Sequence, residues 1–407
     1  MIRFVHTADV QLGMKATEAG EKAAALREAR LEALRRTVVL TRDREADFLL
    51  IAGDLFENNQ VKPVTVSQAV QILQELDPVP VYILPGNHDW WDGGSVYRRT
   101  DFQEGRARNI RVCSRREPLE VAPEVILYPC PITEQHSPLD PTTWIPPRES
   151  EGATRIGMAH GSLPFAHSEN SDFPIQPGTA QAKGLDYLAL GHYHGLQILD
   201  NRVAMPGTPE QTRFGEEGAG QVLVVEIEVA GAPPRLDPVQ VGTLHWVDLA
   251  DQWQSPAADC LVELQKEIRD LVEGPRTLLR LQVTGIVRPD ELSEVESLRT
   301  WLTARCDNRE LLHAEMRQNL QTTDQIEGAL RELVQGDAIL AGALADLERL
   351  ADPDSGKRSG VDGTPSRSMD DLMRTITAVG LTDLPPSEVA REAIALLSKL
   401  AVEVCPS

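Results

Sequence analysis

Five short polar motifs, each directly following an apolar run, constrain this chain more than any other feature in it. They are Asp9-Val10-Gln11, Gly53-Asp54, Gly86-Asn87-His88-Asp89, His160-Gly161 and Gly191-His192-Tyr193-His194. The runs before them, Ile2–His6, Phe48–Ala52, Val79–Leu84, Arg155–Ala159 and Tyr187–Leu190, are short and rich in β-branched residues, which predicts strands. Charged helical patterns lie between the first three, from about Glu21 to Arg42 and from Pro63 to Leu76, the second opened by proline at a first-turn position. This alternation predicts a layered α/β domain. The motifs then fall at strand C-termini, where such folds place their sites. A lone Gly-Asp or His-Gly carries no information, and a histidine at a strand end is usually structural. All five in this order point to one site.

The residue types suit hydrolysis of a phosphate ester. That reaction needs a nucleophile at neutral pH and compensation for charge growing on the phosphoryl oxygens. Two divalent cations about 3.5–4 Å apart supply both. Holding them together requires a bridging anion, for which Asp54 is the natural choice. Imidazole, carboxylate and amide oxygen donors suit manganese, iron or zinc better than an all-oxygen magnesium cage. His192 and His194, two apart in an extended segment, would face the site together. His88, on a turn, is placed to act on the phosphate or leaving oxygen as a general acid.

The five motifs resemble the signature of calcineurin-like metallophosphoesterases. The stretches Gly53-Asp54-Leu55-Phe56 and Pro206-Gly207-Thr208-Pro209-Glu210 resemble the SbcD-type DNA-repair nucleases within that superfamily. The resemblance implies an α/β/β/α sandwich with a small α+β capping domain and C-terminal helices. It implies a first metal held by Asp9, Gln11, Asp54 and His194, and a second held by Asp54, Asn87, His160 and His192. His88 would be the catalytic histidine and Asp89 would orient it. The metals would be manganese, with iron, zinc or magnesium as alternatives. The activity implied is that of a dimeric nuclease on DNA ends and single strands, coupled to an SbcC-like coiled-coil ATPase. Two positions depart from the pattern. Gln11 stands where the family has histidine, which predicts first-metal occupancy weaker by about 10–100-fold. Glu57 stands where some relatives carry a histidine near the DNA.

Length and composition place these motifs in a larger chain. With 407 residues, more than one domain is expected. Residues 1–235 read as the nuclease domain, and 236–307 as an α+β capping domain with strands at Leu244–Leu249 and Thr277–Thr284 and helices at Ala257–Val272 and Asp290–Ala304. An acidic helical stretch over 308–351 follows. Residues 352–369 lack large apolar side chains except Val361 and Met369 and read as a linker. Residues 370–407 carry two short apolar stripes, at Leu372, Ile376 and Val379 and at Val389, Ala393, Leu396, Leu400 and Val404, as expected of helices that dock on a partner. The five cysteines are scattered and form no CxxC pair, so neither a thiolate zinc site nor a disulfide framework is indicated. No signal peptide or membrane-length apolar run is evident, and a cytoplasmic protein is expected.

The net charge of −22 argues against a nucleic-acid partner only on average. Between Arg98 and Arg116 seven arginines face Asp101 and Glu104, a local excess of five positive charges directly after the Gly-Asn-His-Asp motif. Arg98, Arg99, Arg106 and Arg108 are therefore candidate phosphate contacts. Trp90 and Trp91 are candidate stacking platforms for bases, although aromatic residues near a strand end are more often core. Two rival readings share the same motifs: a phosphatase or phosphodiesterase for small nucleotides, and a weakly catalytic scaffold subunit.

Overall fold

The computed structural model describes residues 1–14, 23–149, 152–163 and 172–334. The linker expected at 352–369 and the helices expected at 370–407 lie outside them.

Strands β1 (Ile2–Thr7), β2 (Phe48–Ala52), β3 (Val81–Leu84) and β4 (Ile110–Val112) pair in parallel. A second sheet follows in the chain, built from β5 (Leu119–Ala122), β6 (Val125–Cys130), β7 (Thr154–His160), β8 (Tyr187–Gly191), β9 (Gln197–Asp200) and β10 (Val203–Met205). Its inner strands β6, β7, β8 and β10 are parallel. The chain then returns to the first sheet as β11 (Gln221–Ile227) and β12 (Arg235–Gln240), with β11 antiparallel to β1 and β12 antiparallel to β11.

Alternation along these strands sorts the side chains into layers. In β2, Phe48, Leu50 and Ala52 join Phe4, Tyr82 and Leu84 against Ile156, Met158, Tyr187 and Ala189 of the other sheet. Leu49 and Ile51 point the opposite way, onto Leu34 and Val38 of α1 (Ala23–Asp43), Val66, Val70 and Leu73 of α2 (Pro63–Gln74) and Phe102 of α3 (Thr100–Gln103). The far face of the second sheet, including Leu188, Leu190, Val203 and Met205, packs on Ile145, Leu163, Ile175 and Ala180, the last in α4 (Thr179–Lys183). The architecture is a mixed α/β sandwich with two sheets face to face. Central strands buried on both faces explain why they read as unbroken apolar runs.

By chain contacts the molecule divides into two units. The first contains Met1–Asp248, Glu273–Arg280 and Asn308–Ala314, and the second begins with Leu249–Val272 and Leu281–Asp307. Strands β13 (His245–Gln254), β14 (Thr277–Val287) and β15 (His313–Thr322) form one three-stranded sheet in that order. In the second unit α5 (Ala257–Leu271) packs on α6 (Leu292–Asp307), burying Leu261, Leu264 and Ile268 on one helix and Val295, Leu298 and Leu302 on the other. Two expectations are corrected. The boundary at residue 235 falls too early, because β12 completes the first sheet. The stretch from 308 is not helical throughout: β15 occupies His313–Thr322, and helix α7 (Thr323–Val334) starts only after it. Pairing with β14 overrides a charged composition of weak β propensity.

Phe48 stacks on Phe4 at 4.9 Å between ring centroids and is fully buried between the sheets. Phe48→Ala should lower the unfolding free energy by about 3–5 kcal/mol in urea denaturation followed by circular dichroism.

Candidate metal centre

The ends of β1, β2, β3, β7 and β8 bring the predicted residues together. Asp9, Asp54 and His160 are each almost fully buried, and one ligand atom from each lies within 4.8 Å of the others. Each carboxylate is anchored through one oxygen. Asp9 Oδ2 accepts the His192 backbone N–H at 2.9 Å, and Asp54 Oδ1 accepts that of His88 at 2.9 Å. The other oxygens face the cluster: Asp54 Oδ2 is 3.3 Å from His160 Nε2, and Asp9 Oδ1 is buried with no hydrogen-bond partner. His160 donates from Nδ1 to the Ala52 carbonyl at 2.9 Å, which turns Nε2 toward Asn87 Oδ1 at 2.8 Å. His192 Nδ1 reaches the same Asn87 oxygen at 3.4 Å. His194 turns Nε2 to the Gln11 amide at 3.1 Å and Nδ1 to Glu216 Oε1 at 2.7 Å.

The backbone around these side chains is unusual. Asp9, Gln11, Asp54 and His192 all have positive φ, at 53°, 47°, 54° and 123°. Such conformations cost on the order of 1–3 kcal/mol each in non-glycine residues and concentrate at functional sites. His192 therefore lies on a turn after β8, and the strand-like alternation expected for His192 and His194 is replaced by a reversal that still brings both to the site. Two glycines are required by proximity. A Cβ on Gly53 would meet His160 Nδ1 at 2.1 Å, and one on Gly86 would meet Asp54 Oδ1 at 2.1 Å.

Electrostatics follow from burying two carboxylates side by side. Burial alone would raise the Asp54 pKa, but His160 and the His88 N–H outweigh it and hold the group at about 2. Asp9 is pushed up to about 6, by burial first and by the Asp54 charge. Burial would depress His160, yet Asp54 and Asp9 raise it to about 10. His192 is pushed down to about 4 by burial and by His160, so it is a neutral imidazole with a lone pair to give. A pocket that drives a buried histidine positive carries an excess of negative charge. With Asp9 Oδ1 unpartnered and a donor set of carboxylate, imidazole and amide oxygen, these residues fit divalent cations.

His88 has a different orienting partner from the one expected. Its Nδ1 donates to the Glu57 backbone carbonyl at 2.9 Å. Asp89 instead accepts N–H groups of Phe56 and Gly86, at 3.0 and 2.8 Å, and the Tyr97 hydroxyl at 2.5 Å, fixing the turn that carries His88. A backbone acceptor leaves no mark in side-chain identity, so this contact was invisible in the sequence. Also missed were Glu216, held by Thr212 N–H and Oγ1 at 2.7 and 2.6 Å, and Glu210, which fixes Thr243 and Leu244. Both lie in or just after the Pro-Gly-Thr-Pro-Glu stretch, the one signal that pointed to them. Arg30 was missed as well. Its guanidinium is buried on α1 with no hydrogen-bond partner, and Glu57, Glu210 and Glu216 supply the opposing charge.

Among the candidate phosphate contacts, Arg99 is engaged within the fold. It pairs with Asp101 and donates to the Asn59 and Val61 carbonyls, so it is withdrawn as a free contact. Arg98, Arg106 and Arg108 are exposed, Arg98 lying over the Trp91 ring at 4.4 Å. That guanidinium covers one face of Trp91, and the Trp90 indole N–H donates to Asp92 at 2.9 Å.

Two stacked sheets with buried carboxylates and imidazoles at their strand ends define a metal-dependent phosphoesterase. Residues 2–196 match the model of the calcineurin-like phosphoesterase family, so the chain carries a calcineurin-like metallophosphoesterase domain and is a metallophosphoesterase enzyme. It is 25% identical over 349 residues to the DNA double-strand break repair protein Mre11 of Methanopyrus kandleri, spanning 70% of this chain and 76% of that one. It is 26% identical over 253 residues to the uncharacterized metallophosphoesterase YhaO of Bacillus subtilis, covering 56% of this chain and 57% of the relative. A 90-residue segment is 33% identical to the Mre11 protein of Archaeoglobus fulgidus, covering 22% of this chain and 19% of that one. Among the described residues no helix is long and apolar enough to cross a membrane.

Gly86→Ala forces the new methyl group onto the Asp54 carboxylate. It should lower phosphodiesterase activity on bis(4-nitrophenyl) phosphate by about 100-fold or more, with the circular dichroism spectrum unchanged.

Proposed function

We propose that this chain is a metal-dependent DNA nuclease that hydrolyses phosphodiester bonds with two divalent cations, manganese foremost. Asp9, Gln11, Asp54 and His194 would hold the first cation, and Asp54, Asn87, His160 and His192 the second. The observation that carries this reading is one buried cluster in which a ligand atom of Asp54 lies within 4.8 Å of those of both Asp9 and His160. When bound, the cations supply Lewis acidity toward the phosphoryl oxygens and the attacking water. The protein's own groups do the rest. Asp54 and Asp9, each tied by a backbone N–H, keep their facing oxygens fixed. His88, tethered through Nδ1, has Nε2 left to donate a proton or hydrogen bond to the scissile oxygen. Asp89 acts one step removed, by holding the turn.

The choice of DNA rests on the relatives, two of which are DNA double-strand break repair proteins, the first matched over most of its length. The exposed Arg98, Arg106 and Arg108 offer phosphate contacts on the segment that follows the His88 turn. A homodimer in the cytoplasm, coupled through residues 370–407 to a coiled-coil ATPase, completes the reading.

Purified protein should cleave labelled single- or double-stranded DNA when manganese is added and stop when it is chelated. Asp54→Ala should abolish cleavage, and His88→Ala should slow it by about 10²–10⁴-fold while leaving cation binding intact. Release of phosphate from nucleotides with DNA left whole would replace the nuclease reading by a small-molecule one. Metal-free, inactive protein that binds an ATPase would leave only a scaffold.

A further inference from the structure

A cavity of about 150 Å³ lies outside the metal cluster, in the loop that follows β6, with Arg116 and Phe173 among its walls. Two of its walls tie it to the cluster's supports. Ile132 donates its N–H to the Pro85 carbonyl at 3.2 Å and accepts the Trp91 N–H at 2.8 Å, so it is bonded on both sides of the Gly86-Asn87-His88-Asp89 turn. Phe173 packs on Gly161, the residue after His160, so closely that a Cβ there would meet the Phe173 carbonyl oxygen at 2.2 Å and its Cβ at 2.8 Å. The Phe173 N–H is held in turn by the Ser137 carbonyl at 2.8 Å. The cavity therefore sits against the segments that carry Asn87, His88 and His160.

Its lining is mixed in a particular way. Ile132 and Phe173, 1% and 4% exposed, give it buried apolar walls. Ser137 Oγ accepts the Leu139 N–H at 3.4 Å and keeps its own proton to donate. Asp140 takes the Thr142 N–H and hydroxyl on Oδ1, at 2.7 and 2.5 Å, but only the Gln176 N–H on Oδ2, at 3.2 Å, which leaves that oxygen room for another donor. Arg116 stands exposed at the rim. Apolar walls, a donor, an acceptor and a cation outside match a nucleotide's flat ring, its polar edge and its phosphate. Size narrows the choice. Sites that enclose drug-sized ligands occupy about 300–1,000 Å³. A cavity of about 150 Å³ holds one benzene-sized ring.

We propose that this cavity is a base subsite, taking one unpaired pyrimidine of the strand whose phosphate lies at the metal cluster. The inference rests on the DNA reading above and names the part of the DNA that the site grips. A base stacked and paired inside a duplex cannot enter, so the nucleotide must be single-stranded, frayed or turned out of the helix.

The test is binding, read without cleavage. Full-length protein in chelator is titrated into fluorescein-labelled single strands about 12 nucleotides long, a length within the usual range of single-strand sites. The strands carry thymine, cytosine or adenine throughout, or an abasic sugar-phosphate backbone, and binding is followed by anisotropy. Both pyrimidine strands should bind about tenfold more tightly than the adenine or abasic strand. Flexible pyrimidine strands have a modest advantage on any single-strand surface, so filling the cavity decides the matter. Thr133 and Thr143 are exposed residues of its wall, and Thr133→Met with Thr143→Met fills it with flexible side chains. The filled variant should bind pyrimidine strands no better than the abasic one, whose affinity should be unchanged, as should the circular dichroism spectrum. Equal affinity for the four strands, tighter binding of adenine, or a pyrimidine preference that survives in the filled variant would overturn the base subsite and leave the DNA reading in place. Binding of none of the strands would overturn both.

Discussion

The arrangement depends on burying two carboxylates, Asp9 and Asp54, side by side at the ends of adjacent parallel strands. Like charges taken out of water repel strongly and must be compensated locally. Here the compensation is assembled from backbone N–H groups of His88 and His192 and from the His160 ring, all delivered by other strand ends. The two sheets must therefore meet closely at this edge, where no side chain fits at Gly53 beside His160; within the first sheet, none fits at Gly86 beside Asp54. The positive φ at Asp9, Gln11 and Asp54 is a further consequence, since the chain must turn sharply to leave the strand and still aim a side chain back over its end. Packing between Phe4, Phe48, Met158 and Tyr187 holds the sheets at the separation that makes this possible.

Much of this was legible in the sequence because the central strands are buried on both faces. Phe48–Ala52 alternates between two cores rather than between core and water, so it appears as an uninterrupted apolar run, and the polar residue that ends it marks the site. The same holds for the strands that end near His160 and His192. What was not legible lies where pairing, not composition, decides. Ile110–Val112, Leu119–Ala122 and Val203–Met205 are short segments made strands by their neighbours. His313–Thr322 carries charged and amide side chains that favour helix, and it becomes a strand because β14 offers a partner. The division into units also escaped sequence reading, since the chain returns to the first unit at Glu273–Arg280 and Asn308–Ala314.

Within the site, side-chain identities were legible and their supports were not. Asp9, Asp54, Asn87, His160, His192 and His194 converge, yet nothing in their spacing indicates that His88 leans on a carbonyl or that His194 leans on Glu216. Such supports decide function as much as the ligands, because they set which ring nitrogen carries a proton. His160 and His194 each use Nδ1 toward a fixed acceptor and so present Nε2 to the centre, whereas His192 presents Nδ1. For His194 the partners fix the tautomer, with Nδ1–H donating to Glu216 and Nε2 accepting from the Gln11 amide N–H.

Arg30 extends the same logic outward. An isolated buried guanidinium is costly, and it is retained here with Glu57, Glu210 and Glu216 as its opposing charges. Each of those acids belongs to a segment that supports the site: Glu57 lends its carbonyl to His88, Glu216 its carboxylate to His194, and Glu210 follows Thr208, whose N–H reaches the His194 carbonyl at 2.9 Å. Arg213 also pairs with Glu216, at 3.3 Å, so the three acids are shared between a buried guanidinium and an exposed one.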